Sequence, residues 1–217
     1  MIGRDIGGRT VDGYETTFAV NHLAHYLLLR LLFDRLSHGA IVVMTTSGTH
    51  DPAEGTGLPT PEHADARRLA DPDRVKGRKR SVTAGRRAYS ASKLCNVMTV
   101  RTLSGRPETR GRAIVPIAFC PGGTPGTGLV RNLSLPRRIG WRLLGGSLPI
   151  RPSRFNRVDT AGEALSDLAL GVIVPEGGEY YAALRAGHLV WKSPSELARR
   201  DDLAEALWND SAELVGL

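Results

Sequence analysis

Residues 40–46 read Ala-Ile-Val-Val-Met-Thr-Thr, a continuous run of apolar and β-branched residues between Gly39 and Gly48. Such a run is typical of a strand that is buried on both faces of a parallel sheet. A second run of this kind covers residues 113–120, and apolar residues at helical spacing fill residues 87–104 between the two runs. Strand, helix and strand predict a right-handed parallel crossover, the unit of a doubly wound α/β fold.

The rest of the chain extends this alternation. The same periodicities predict a helix from Asp12, as N-cap, to a stop at His38-Gly39, a helix over Asp159–Leu170, a short strand around Tyr180 and a helix over Pro194–Leu214. Residues 48–85 contain Pro, Gly and many charges, and we expect a long loop there. The fold class predicted for residues 1–217 is therefore a single α/β domain, the C-terminal part of a doubly wound parallel sheet with flanking helices.

Composition excludes several classes of protein. A chain of 217 residues with 41% hydrophobic content can bury a core without disulfides or metals. Cys95 and Cys120 form no CxxC pair, and His22 and His25 have no third ligand nearby in sequence, so we predict neither a disulfide framework nor a metal site. The apolar run around residues 26–33 is far shorter than the ~20 residues of a membrane span. A cytoplasmic protein is the simplest expectation.

The basic residues are concentrated in the middle of the chain. Residues 67–112 carry 14 Lys or Arg against 3 Asp or Glu. Such a balance suits a nucleic acid or an anionic cofactor. Because no aromatic residue interleaves the basic run Arg74–Arg87, as stacking platforms would, nucleic-acid binding is the weaker of these two hypotheses.

Tyr89 and Lys93 form the strongest chemical motif. Their i, i+4 spacing on the predicted helix places the two side chains on one face, with Cβ atoms about 5–6 Å apart. A phenol titrates near ~10, and a neighbouring ammonium lowers that pKa because it favours the phenolate. Ser47 follows the first predicted strand, where its hydroxyl could hold a substrate oxygen within reach of the phenol. We predict that Tyr89 acts as a general acid or base.

Four segments then carry a family resemblance. They are Asn21 within Phe-Ala-Val-Asn-His-Leu-Ala-His, Ser47 within Thr-Thr-Ser-Gly-Thr-His, Tyr89-Ser-Ala-Ser-Lys93, and Pro121-Gly122. In this order and context they resemble the short-chain dehydrogenase/reductase family, from about Asp12 to the C-terminus. Within the family, the chain is most similar to the branch of retinol-dehydrogenase-like enzymes and protochlorophyllide reductases.

The resemblance implies an NAD(P)H-dependent oxidoreductase with a Rossmann-type sheet, which transfers a hydride to or from a small apolar carbonyl or alcohol substrate. Tyr89 would be the acid/base, and Lys93 would lower its pKa and bind the nicotinamide ribose. Ser47 would orient the substrate, and Asn21 would anchor a water molecule of the proton relay. A homo-oligomeric state is compatible with the resemblance.

It also implies a cofactor site. Pro121, Gly122 and Thr127, with Tyr89 and Lys93, would line the nicotinamide pocket, and the resemblance favours NADP over NAD. Residues 131–157 stand where the family has its substrate lid, and their apolar side chains suit a pocket cover.

The sequence departs from the family in two ways. Gly123 stands where protochlorophyllide reductases have a cysteine, so we do not expect photochemistry. The dinucleotide fingerprint is also missing, because Pro125 interrupts the formally matching glycines 122, 126 and 128. We therefore expect an incomplete chain without the first four strands, with an exposed apolar edge at Ile41–Thr46. A non-catalytic remnant and a basic nucleic-acid-binding module are the alternative hypotheses.

Overall fold

A mixed sheet of four strands organises the molecule. The computed structural model describes residues 2–3, 5–74, 80–126 and 155–217. The strands, in the spatial order β1-β2-β3-β4, are β1 Ile41–Thr45, β2 Val115–Cys120, β3 Tyr181–Arg185 and β4 His188–Trp191. The first three run parallel, and β4 is antiparallel to β3. The predicted α/β class with a parallel crossover is confirmed.

Helices cover both faces of this sheet. They are α1, built from Thr16–Phe18, Ala19–Leu23 and Ala24–Leu32; α2 Ala66–Ala70; α3 Val82–Gly105; α4 Pro107–Gly111; α5 Val158–Ala169; and α6 Asp201–Leu214. Within the described residues, none of them is long and apolar enough to cross a membrane.

The first helix begins later than predicted. Its N-cap is Glu15 and not Asp12, because the chain first makes a turn in which the Gly13 amide bonds to the Thr10 carbonyl. The buried Glu15 carboxylate then accepts from the amides of Thr17 and Phe18 at 2.9 and 2.7 Å. A residue at this position satisfies amides that have no partner within the helix.

The π-helical turn Ala19–Leu23 inside α1 was not predicted, and neither was the early start of α3. Ser81 caps α3, with its hydroxyl accepting from the Ala84 amide at 3.1 Å. The first turns of α3 contain polar residues, so the sequence there lacks the apolar spacing by which a helix is predicted. Its later part is almost entirely buried, so α3 is the central helix of the fold.

The C-terminal third also differs from expectation. One strand was predicted around Tyr180, whereas the structure has the hairpin β3–β4, turned by Ala186 and Gly187 with φ values of 50° and 82°. Both residues have positive φ, as a tight two-residue hairpin turn requires. The final helix begins at Asp201 and not at Pro194, since a 3₁₀ turn, Leu197–Arg199, precedes it. Short helical turns also interrupt the predicted loop 48–85.

The core has two parts, one on each face of the sheet. Between the sheet and helices α1, α3 and α6 lie residues such as Phe18, Leu94 and Leu207. On the other face, Leu168 of α5 packs with Ile117, Phe119 and Leu184 of the sheet. Successive residues of β2 alternate between the two clusters, as expected for a strand buried on both faces. In the described part of the chain β1 pairs only with β2, so it is an edge strand as predicted.

Candidate active site

The carboxyl ends of the parallel strands bring the site together. Ser47 lies just after β1, and Cys120 is the last residue of β2. The Gly48 amide donates to Cys120 Sγ at 3.1 Å, which joins the two strand ends. The Thr46 hydroxyl donates to the Lys93 carbonyl at 2.7 Å and ties β1 to α3. The fold thus places Ser47 against the face of α3 that carries Tyr89.

The side chains of Tyr89 and Ser47 are neighbours at this end of the sheet. Tyr89 is buried, and burial raises the pKa of its phenol to about 12, although the interaction with the Ser47 side chain acts in the opposite direction. The sequence predicted a pKa lowered by Lys93. That direction is wrong for the chain as described, because loss of hydration of the phenolate is the larger effect.

Lys93 is held by the backbone of the first strand. Its Nζ donates to the Thr45 carbonyl at 3.1 Å. Burial lowers the pKa of Lys93 to about 8. The ammonium is therefore fixed at the carboxyl end of β1. At neutral pH it is still protonated in most of the protein molecules. An ammonium has three N–H donors, and the Thr45 carbonyl accepts one of them.

Asn21 reaches this region through the π-helical turn of α1. Its Nδ2 donates to Ser92 Oγ at 3.1 Å, and the Ser92 hydroxyl donates to the Tyr89 carbonyl at 2.7 Å. The Asn21 carbonyl accepts from Asn96 Nδ2 at 3.1 Å. Such a turn is frequent at functional sites, because it leaves backbone groups that the regular helix would have used. The structure thus brings all four predicted catalytic residues to one end of the sheet.

Known proteins resemble most of this chain. Retinol dehydrogenase 12 of Homo sapiens is 34% identical over 214 residues, which are 96% of this chain and 57% of that protein. Protochlorophyllide reductase A, chloroplastic, of Oryza sativa subsp. japonica is 30% identical over 225 residues, 96% of this chain and 56% of that protein. No family model matches the chain.

The chain resembles the short-chain dehydrogenase/reductase family over 96% of its length, as predicted, since the relatives that it matches are retinol dehydrogenases and protochlorophyllide reductases. It spans a little more than half the length of these curated relatives, whose names are those of oxidoreductases. A solved structure of an uncharacterized protein from Mycobacterium paratuberculosis has the same fold, with a TM-score of 0.59 and 24% identity over 95% of this chain and 61% of that one.

The predicted nicotinamide-side residues are described only in part. Pro121 and Gly122 directly follow β2, and the Pro121 carbonyl accepts from Asn156 Nδ2 at 2.9 Å. Thr127 and residues 131–154 of the predicted lid lie outside the described residues. Asn156, which is buried, also accepts from the Gly187 amide at 3.0 Å and so joins this turn to the β3–β4 hairpin. No sequence motif singles out Asn156.

A half-buried carboxylate beside the site is another residue that no sequence motif singles out. Glu54, with a side chain 12% exposed, bonds to Arg185 Nη2 and to Lys192 Nζ at 2.5 Å each. Burial would raise the pKa of Glu54, but the hydrogen bonds from Lys192 and Arg185 outweigh burial and hold the pKa below its ordinary value. Arg185 Nη1 lies 3.8 Å from Cys120 Sγ. Three charged side chains from distant segments thus meet near the end of β2.

Proposed function

We propose that this chain carries the catalytic part of an NAD(P)H-dependent oxidoreductase, with Tyr89 as the general acid/base. The observation that carries the proposal is the neighbouring pair of side chains, Ser47 and Tyr89, at the carboxyl end of β1 with the Lys93 ammonium bound at the same strand end. Ligands of open α/β sheets bind at the carboxyl ends of the strands. The names of the relatives support the same class of reaction.

The protonation state of Tyr89 suits the reduction of a carbonyl. With a pKa of about 12 the phenol carries its proton at neutral pH, so its hydroxyl can donate that proton to a carbonyl oxygen that is becoming an alkoxide. The Ser47 hydroxyl would hydrogen-bond to the same oxygen and hold it within reach of the phenol. In the reverse reaction Tyr89 would have to accept a proton as phenolate, and positive charge close to it would lower its pKa for that role.

The remaining residues would bind the cofactor and a water molecule of the proton relay. When bound, a reduced nicotinamide supplies the hydride. Lys93 has N–H donors beyond the one accepted by the Thr45 carbonyl, and these fit the hydroxyls of a ribose. Pro121 and Gly122 would border the nicotinamide ring, and Asn21 would anchor a water molecule next to Lys93. The substrate class is a small apolar carbonyl or alcohol, and NADPH is the favoured cofactor because of the resemblance.

The first test is a calorimetric titration of the purified chain with NADPH and NADH. Saturable binding that is weakened by Lys93→Ala supports the cofactor assignment for this chain. A folded chain that binds neither nucleotide contradicts it, and would favour the alternative of a remnant without a cofactor site.

The second test uses two tyrosines. Tyr89→Phe removes the proton donor, so we expect carbonyl reduction to fall by at least about 100-fold while nucleotide affinity stays within about twofold. Tyr14→Phe is the matched control, because the Tyr14 hydroxyl bonds to the Leu214 carbonyl at 2.6 Å, between α1 and the end of α6. Equal turnover by the wild type and Tyr89→Phe would overturn the proposal.

A further inference from the structure

A buried imidazole lies behind the candidate active site. His22, within the π-helical turn of α1, has no exposed surface. Its Nδ1 lies 3.2 Å from Asn96 Oδ1, and its Nε2 lies 3.0 Å from Ser211 Oγ of α6. The ring therefore connects three helices, α1, α3 and α6. None of the roles proposed above uses it.

Asn96 continues this connection towards the lysine. It lies one turn beyond Lys93 on α3 and is 1% exposed. Its Nδ2 donates to the Asn21 carbonyl and to the Thr45 carbonyl, both at 3.1 Å. The Thr45 carbonyl is the acceptor of the Lys93 ammonium. One amide group thus contacts the backbone of Asn21 and the backbone atom that holds Lys93.

The direction of each hydrogen bond follows from the groups present. Asn96 uses both N–H hydrogens on carbonyl oxygens, so its Oδ1 can only accept. His22 must then carry its proton on Nδ1, which leaves Nε2 as the acceptor for the Ser211 hydroxyl. Burial lowers the pKa of His22 to about 4, so the ring stays neutral, as this arrangement requires. Each hydrogen bond among Asn96, His22 and Ser211 therefore has a donor facing an acceptor in only one arrangement of their side chains.

We propose that Ser211, His22 and Asn96 form a positioning chain that fixes the Asn21 carbonyl and the Lys93 ammonium from the C-terminal helix α6. The proposal rests on the proposed function for its catalytic meaning, because the three residues act through Asn21 and Lys93. If the Asn96 amide turned over, Oδ1 would face two carbonyl oxygens, and those acceptors would repel each other. The two carbonyls hold the Nδ2 end of the amide, and His22 holds the Oδ1 end by donating to it.

The decisive experiment compares two substitutions of His22. The amide nitrogen of Asn occupies the place of Nδ1, so His22→Asn keeps the donor to Asn96 and loses Ser211. The amide of Gln occupies the place of Nε2, so His22→Gln reaches Ser211 and loses Asn96. Both replace the same buried ring, so a merely structural role predicts the same effect of both.

The readout is the side-chain carbon resonance of Lys93. The chain has only four lysines, Lys76, Lys79, Lys93 and Lys192, so ¹³Cε-lysine labelling gives four signals, and Lys93→Arg assigns the one of interest. The titratable groups that interact with Lys93 are His22 and His25 of α1 and Cys120 of β2, together with Tyr89 one turn away on α3. His22→Gln is expected to move the Lys93 signal and change its titration midpoint by about half a pH unit or more, since the Asn96 amide loses its donor and no longer holds the Thr45 carbonyl in one position.

Three outcomes decide the proposal. It is supported if His22→Gln moves the Lys93 signal and His22→Asn leaves it within the change seen for Thr99→Val, a control that removes a buried α3 hydroxyl with no partner in the described residues. It is overturned if both His22 variants move the signal equally, or if neither does.

If the His22 variants do not fold, Asn96→Ala gives the answer, because it removes the amide that bonds to the Thr45 carbonyl; a moved Lys93 signal is expected, and an unmoved signal overturns the proposal. Since the measurement needs neither nucleotide nor turnover, a failure of the proposed oxidoreductase function would be seen separately, in the calorimetric and Tyr89→Phe tests.

Discussion

At the scale of single residues, burial controls the chemistry more than local sequence does. Lys93 is one helical turn from Tyr89, yet the phenol has a raised pKa because it is buried. The same effect, with the opposite sign for a base, lowers the pKa of Lys93 and His22. Removal from water always disfavours the charged form.

The His22 ring should make the protein sensitive to mild acid. Its pKa is about 4 in the fold and 6.5 ordinarily, so between these values the unfolded chain binds more protons. Its contribution to stability is therefore complete above pH 6.5 and is lost as the pH falls towards 4. We expect about 2 kcal/mol less free energy of unfolding at pH 5 than at pH 7 from this group, measured by urea denaturation.

The control for this prediction is His22→Gln. Burial lowers the pKa of His25 and His50 as well, so the wild type alone does not isolate His22. The variant should be less stable at pH 7 and should lose part of the pH dependence. Identical pH dependence in both proteins would contradict the assignment.

Cys95 should be chemically inert in the folded protein. Burial raises the pKa of its thiol, and its side chain has no exposed surface, so it packs as a small buried hydrophobe. In a Cys120→Ala background, we expect iodoacetamide to label Cys95 only as fast as the protein unfolds. Labelling at the rate of a free thiol, without denaturant, would show that the site opens.

At the scale of secondary-structure elements, two glycines within helices distinguish the effect of helix propensity from the effect of packing against neighbouring atoms. A Cβ on Gly85 of α3 would lie 2.9 Å from Asp5 Cα and 3.0 Å from the Gly3 carbonyl oxygen, both backbone atoms. A Cβ on Gly162 of α5 would meet nothing within 4 Å. At both positions, alanine is more favourable than glycine for helix formation by about 0.5–1 kcal/mol.

We expect Gly162→Ala to raise the free energy of unfolding by about that amount and Gly85→Ala to lower it, because the N-terminal segment must move away from α3. Chemical denaturation of both variants measures this difference. A stabilised Gly85→Ala would mean that the contacts of Gly3 and Asp5 with α3 contribute no packing energy.

The Glu54 contacts join the turn after β1 to the β3–β4 hairpin. Glu54→Gln keeps the shape and removes the charge that Arg185 and Lys192 share, so we expect a loss of about 1–2 kcal/mol. Because the pKa of Glu54 is lowered in the fold, its contribution is present above the ordinary value of 4.5 and is lost as the pH falls below it. Thermal melts at pH 7 and pH 3 should differ less for the variant, and an unchanged pH 7 melt would contradict the prediction.

At the scale of the whole molecule, the main feature is the edge of β1 that faces away from β2, which pairs with no other strand among the described residues. The Thr46 amide bonds to the Phe119 carbonyl of β2, so by alternation the amides of Val42 and Met44 face β2, and those of Val43 and Thr45 face the edge. We expect hydrogen exchange at Val43 and Thr45 to be at least about tenfold faster than at Val42 and Met44, measured by NMR at low protein concentration. Equal protection would mean that another strand covers this edge.

The distribution of charge is also decided at this scale. Several arginines of the basic middle segment form ion pairs with acidic residues of the C-terminal part, as Arg67 does with Asp210 and Arg101 with Asp201. The two unevenly charged halves seen in the sequence thus partly neutralise each other in the fold. This pairing weakens the hypothesis of a nucleic-acid-binding module, for which a free basic surface is required.

The sequence by itself determined the class of fold, the crossover between β1 and β2, and the Tyr89–Lys93 spacing. These depend on local periodicity, which each segment carries independently of the others. It placed the N-cap of α1 at Asp12 and overlooked the β4 strand, because turn geometry and strand pairing depend on partners elsewhere in the chain.

Only the tertiary structure decided which distant groups share a site. His22 and Ser211 are 189 positions apart, and Glu54 and Lys192 are 138 positions apart, so no local pattern links them. The same holds for the pKa of Tyr89, which depends on how completely other elements exclude water from the phenol. Hydrogen-bond partners and burial are properties of the packed chain, since they arise only when segments remote in sequence come together.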